Sequence, residues 1–228
     1  MKPMRRSAYV KTESILLEHA QEFLLPYFEH KQYALLPGTA QYRRKTSFGH
    51  AGVIVSAMAS DEYVQLRLHL GVRQDLLEKA LIGTFGQSSY YSNDSYSLLI
   101  DARLIDPLLS ALPQDFRIDE RLNERVEERC EAFIRFMDDK GFAFLDKYRK
   151  LSAIDRLYNE KPRLSARWCN HHYQRCFRGM TAAFIRHRSD VSALYAMHRD
   201  YLIQRGYEGQ VLQKFERNFA LQEKLSFN

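Results

Sequence analysis

Residues 63–72 alternate without a break: Val64, Leu66, Leu68, Leu70 and Val72 on one side, Tyr63, Gln65, Arg67, His69 and Gly71 on the other. A helix would spread these apolar side chains around its circumference. An extended strand gathers them on one face. The segment therefore commits the chain to a sheet with one face on a core and the other toward solvent. Its neighbours fit such a sheet. Residues 41–48 alternate, and 52–59 form a β-branched run between Gly49-His50 and Ser60-Asp61. Three consecutive strands predict an antiparallel meander, and 95–100 (SYSLLI) adds a fourth.

Helical spacing surrounds this sheet. Leu16, Ala20, Phe23, Leu24 and Tyr27 predict a helix over 12–25, which Pro26 should end or kink. Asp75 and Glu78 form a capping pattern at the start of another helix. Asp106-Pro107 predicts a short helix with Pro in its first turn. Beyond Pro113 no strand is expected. Leu122, Val126, Cys130, Phe133 and Met137 predict a helix over 119–140 that stops at Gly141. Further helices are expected at 142–150, 152–159, 163–180, 190–205 and 210–225. The fold class is thus α+β: a small antiparallel sheet of three to four strands with flanking helices, then an all-helical C-terminal region. The simplest division is 1–113 and 114–228, two regions able to share one core.

The order of a helix, Tyr42-Arg43-Arg44, a turn at Ser60 and the run Tyr63 to Gly71-Val72 resembles a group of uncharacterised bacterial proteins. In that group a helix precedes a meander ending in a short strand like Leu-Gly-Val. The likeness covers residues 10–85. It implies the sheet topology and carries no activity with it.

Composition narrows the setting. No stretch is apolar enough to span a membrane, and the N-terminal segment lacks the apolar region of a signal peptide. Three cysteines without a C-x-x-C fit a reducing compartment, so a cytoplasmic protein of bacterial type is expected. The net charge is +6, and residues 151–228 hold all of that surplus, with 13 Lys and Arg against 7 Asp and Glu.

Segment 161–189 concentrates the charge. It has Lys161, Arg163, Arg167, Arg175, Arg178, Arg186 and Arg188, with no Asp or Glu. On one continuous helix, Arg163, Arg167, His171, Arg175 and Arg178 fall within about 120° of arc. Leu164, Trp168, Cys169, His172, Cys176 and Met180 take the opposite side. Guanidinium forks without interleaved acids attract carboxylates and phosphates. These arginines are expected to engage an acidic protein surface in preference to nucleic acid, with Tyr90 and Tyr91 of the 86–94 loop adding apolar contact. The competing expectation is a solvated face whose charges pair with acids elsewhere in the fold, such as those of 115–131. Cys169, His172 and Cys176, at i, i+3 and i+7, could hold zinc with Cys130 or His198 as a fourth ligand. Their place in the apolar stripe favours a core role, so no metal and no cofactor are expected. The outer strand face, with Tyr63, Arg67 and His69, is a further surface that could stack bases or hold an anion.

Enzyme signatures are missing. His198-Arg199-Asp200 mimics a kinase triplet, but Arg205 stands where Asn is needed and no Gly-rich phosphate loop accompanies it. Glu29-His30-Lys31 lacks the upstream Asp of a metal-dependent nuclease. The sequence thus predicts a non-enzymatic binding protein. A sequence-independent nucleic-acid binder, or an enzyme whose site no motif reveals, are the alternatives.

Overall fold

The structure, a computed structural model, describes residues 5–59, 63–85, 93–111, 115–169 and 171–226. Helix α1 (Arg5–His30) leads into β1 (Ala34–Leu35), β2 (Gln41–Thr46), β3 (Gly49–Ala59) and β4 (Tyr63–Gln74). Helix α2 (Asp75–Phe85), β5 (Leu98–Asp101), α3 (Pro107–Ala111) and β6 (Asp115–Arg117) follow. The rest of the described chain is helical: α4 (Leu122–Phe136), α5 (Phe142–Tyr148), α6 (Leu151–Asp155), α7 (Pro162–Trp168), α8 (His172–Ile185), α9 (Val191–Gln204) and α10 (Gln210–Ser226).

The class is α+β, as expected, but the antiparallel sheet is larger than three to four strands. Five strands lie in the order β1-β2-β3-β4-β5, and β6 pairs with the first residues of β4. Strands β1 and β6, with two and three residues, are too short to show a period, which is why the sequence reading passes over them. Strand β4 keeps its alternation: Val64, Leu66, Leu68 and Leu70 are buried while Gln65, Arg67 and His69 are half-buried.

Packing divides the described chain into two compact units that do not follow a cut at 113. The first comprises residues 1–71 and 100–146, the second 72–99 and 147–228. In the first, α1 packs on β3 and α4. Its core joins Leu16, Ala20, Leu24 and Phe28 to Tyr42, Val53, Leu68, Val126 and Phe133. Contrary to expectation, α1 continues through Pro26 to His30. The turn beyond the proline is anchored on both sides: Phe28 stacks on Tyr42 at 4.4 Å, and the Tyr27 hydroxyl donates to Asp138 Oδ1 at 3.0 Å. These contacts outweigh the missing donor. Gly141 likewise does not stop the chain. A π turn, Met137–Gly141, carries α4 into α5.

In the second unit α8 is central, packed by α2, α6, α9 and α10. Leu77, Leu81, Ile154, Tyr158, Cys176, Phe177, Met180, Leu202 and Phe215 are buried. The single helix expected over 163–180 is two. Cys169 takes an extended conformation (φ −111°, ψ 116°) and His171 a non-helical one (φ −97°, ψ 83°). The Cys169-Asn-His-His stretch is poor in helix formers, and the break there divides the segment into α7 and α8. No helix among the described residues is long and apolar enough to cross a membrane.

Candidate functional site

Because the segment breaks, its arginines do not form one ridge. Arg178 is 7 % exposed and grips Glu78 with two parallel bonds, Nε to Oε1 at 2.8 Å and Nη2 to Oε2 at 2.9 Å. The Ser95 and Ser97 hydroxyls donate to the same carboxylate, at 2.7 and 2.9 Å. Burial alone would raise the Glu78 pKa, but Arg178 and the two serines hold it below the ordinary value. Glu78 thus has four donors and serves as the anchor of a buried network. In that role it replaces the helix cap that its spacing from Asp75 suggests.

Arg186 and Arg188 are also engaged. Arg186 Nη1 meets Asp155 Oδ2 at 2.5 Å, and Arg188 reaches Asp155, Glu160 and Asp190. Asp155 is fully buried and accepts a further bond from Asn159 Nδ2 at 2.6 Å. The other side of that amide, Asn159 Oδ1, lies 2.7 Å from His198 Nε2. Since Asn159 Nδ2 donates to Asp155 and to the Gly179 carbonyl, Oδ1 accepts and His198 carries its proton on Nε2. Burial, reinforced by Arg175, lowers the His198 pKa to about 3, so the ring is neutral at pH 7.

Arg175 is different. It is 1 % exposed, yet among the described residues no carboxylate stands within ion-pair distance of it. Its Nη1 donates to Ser165 Oγ at 3.0 Å, its Nη2 lies 3.9 Å from Cys176 Sγ, its guanidinium lies 4.3 Å from the centroid of the Tyr201 ring, and among the described residues its Nε has no hydrogen-bond partner. A buried, uncompensated cation is costly unless an anion completes its surroundings.

Arg175 lines a cleft of about 650 Å³ between α7, α8 and α9. Arg167 of α7 and Arg205 at the end of α9 line it too, and both are exposed. Gly206, at φ 72°, fixes Arg205 there: Gly206 N–H donates to the Ile203 carbonyl and Tyr207 N–H to that of Leu202, the αL-type close of a helix. Arg205 also lies 5.4 Å from the Tyr201 ring. Asp200, His198, Tyr201 and Gln204 complete the described polar lining. The cleft therefore has three guanidiniums, one carboxylate and a neutral imidazole.

Of the residues picked out by sequence, Arg167 and Arg175 come together in the cleft; Arg178, Arg186 and Arg188 turn to carboxylates. The side chain of Arg163, and Tyr90 and Tyr91, lie outside the described residues. Sequence reasoning missed Arg205 because it follows the acid-free segment. The signal was available in Tyr201 and Arg205, four residues apart and thus on one helix face, just before Gly206. Cys169, His172 and Cys176 are divided by the helix break, and no group of three metal-ligating side chains occurs among the described residues. Burial pushes the Cys176 thiol up to about 12. On β4, Arg67 bonds Gln65, and His69 lies 3.9 Å from Asp101. No protein-family model matches the chain, and no curated protein or solved structure matches it.

Proposed function

We propose that this chain is a non-enzymatic binding protein that engages an acidic partner protein through its C-terminal helices. Arg167 and Arg205 grip the partner at the mouth of the cleft, and Arg175 supplies a buried positive charge behind them. The observation that carries the reading is Arg175, a guanidinium removed from water, with no carboxylate partner among the described residues, lining an open cleft. In that low-dielectric wall its attraction for an incoming anion is several times what it would be in water. The three cysteines are free, which supports a cytoplasmic setting. A nucleic acid would follow a long basic surface, whereas Arg178, Arg186 and Arg188 are already engaged by acids.

The test is fluorescence polarisation with a labelled, Asp- and Glu-rich peptide pool at low and moderate salt. Wild-type protein is expected to bind, and Arg167→Glu/Arg205→Glu to bind at least about tenfold more weakly. Equal binding by the variant, or no binding by the wild type at low salt, overturns the reading. Competition by duplex DNA at concentrations matching the peptide would move the assignment to nucleic acid.

A further inference from the structure

We infer that the group received by the cleft is a phosphomonoester on a side chain of the partner protein; this rests on the reading above that the cleft takes an acidic protein segment. Two features of the lining separate a phosphate ester from a carboxylate, and a third separates an ester carried on a chain from a free ion.

The first is charge. Among the described lining residues, Arg167, Arg175 and Arg205 face a single acid, Asp200, which leaves two positive charges to be met. The two histidines nearby add none. His198 is neutral, its Nε2–H donated to Asn159. His172, whose Nδ1 lies 3.0 Å from the Tyr201 hydroxyl, is held below its ordinary pKa by burial and then by Arg205 and Arg175. A phosphomonoester carries a charge of about −1.5 to −2 at pH 7 and balances the cleft. One carboxylate would leave it half met.

The second is the number of acceptors. Arg167 and Arg205 are exposed forks on different helices, each able to donate two parallel bonds. A carboxylate has two oxygens, enough for one fork. The three terminal oxygens of a phosphate ester serve two forks at once. The Tyr201 ring positions two of the three cations, Arg175 at 4.3 Å and Arg205 at 5.4 Å.

The third is room. About 650 Å³ far exceeds a phosphate ion, so the side chain bearing the ester and its neighbours enter with it.

The experiment compares two fluorescein-labelled peptide pools, alike in having random residues around a fixed centre, which is phosphoserine in one and Glu in the other. Wild-type protein is expected to bind the phosphoserine pool at least about tenfold more tightly. Arg167→Lys and Arg205→Lys keep the charge and remove the fork, so each should lower that preference severalfold while leaving the Glu pool nearly unaffected. Inorganic phosphate should compete only at much higher concentration than the phosphopeptides. Equal affinity for the two pools, with both lost in Arg167→Glu/Arg205→Glu, overturns the phosphate assignment and leaves the acidic-partner reading standing. Competition by inorganic phosphate at peptide-like concentrations assigns the site to a free ion and overturns the phosphoprotein. Binding of neither pool, or binding that all these variants retain, overturns both.

Discussion

The guanidinium of Arg175 lies 4.3 Å from the centroid of the Tyr201 ring and within ion-pair distance of no acid among the described residues. Folding alone gives little reason for this arrangement, since an apolar side chain of similar volume would fill the place without desolvating a charge. Arg175→Met is therefore expected to leave stability unchanged or raise it by about 1 kcal/mol, and to weaken anion binding at the same time. Urea unfolding and peptide titration on one preparation check both. A destabilisation of several kcal/mol would make Arg175 a structural residue.

The Glu78–Arg178 pair should behave in the opposite way. Arg178→Met leaves a buried carboxylate held only by Ser95 and Ser97 and is expected to cost about 3–5 kcal/mol. Adding Glu78→Gln removes the stranded charge, so the double variant should be more stable than Arg178→Met alone. Additive losses in urea denaturation would show that the two residues are not coupled.

Gly179 leaves no room for a side chain. A Cβ there would lie 2.9 Å from both Asn159 Oδ1 and His198 Nε2, two atoms already bonded to each other. Gly179→Ala should gain helix propensity and still lose about 1–3 kcal/mol, because the buried Asp155–Asn159–His198 chain has to separate. A thermal melt no lower than wild type would count against that chain.

Stability should fall on mild acidification. The folded pKa of His198, about 3, lies below the ordinary 6.5, so between these values the unfolded chain binds the extra proton. The contribution is complete above pH 6.5 and is lost as pH falls, by about 1.4 kcal/mol per unit. Glu78, also held low, adds its own loss only below pH 4.5. His198→Gln keeps a donor for Asn159 and does not titrate, so its urea midpoint should be flatter between pH 6.5 and 4.5. Parallel curves for the two proteins would exclude the assignment.

Thiol reagents should find Cys130 and Cys176 unreactive in the folded protein. Both are buried, and burial pushes each thiol up to about 12. Labelling with Ellman's reagent should be fast only after denaturation. Prompt reaction of either thiol in native protein would contradict their burial.

How much of this was legible depends on the range of the interaction. The period of two in β4 and the apolar spacing of α4 are written in adjacent residues, and both elements form, although α4 runs on through a π turn where Gly141 was expected to stop it. Pro26 misleads because its local preference is overridden by Phe28 on Tyr42, a contact made only once the sheet exists. The arginine-rich segment is more instructive. Its residue types were plain, but the fate of each charge depends on acids far along the chain, Glu78 for Arg178 and Asp155 for Arg186. Subtracting those pairs leaves Arg167 and Arg175, and Arg205 joins them from α9, where the spacing of Tyr201 and Arg205 puts both on one face without saying which helices that face meets.

The crossing of the chain between its two units has a consequence for biosynthesis. Each unit is stitched from separate stretches, so residues emerging early from the ribosome must wait for later ones: 72–99 for the chain beyond 146, and 1–71 for 100–146. A fragment ended at 113 would contain neither unit whole. Expression of half-length pieces should thus yield aggregation-prone products, and the cleft arginines become properly seated only after the stretch beyond 146 has joined 72–99.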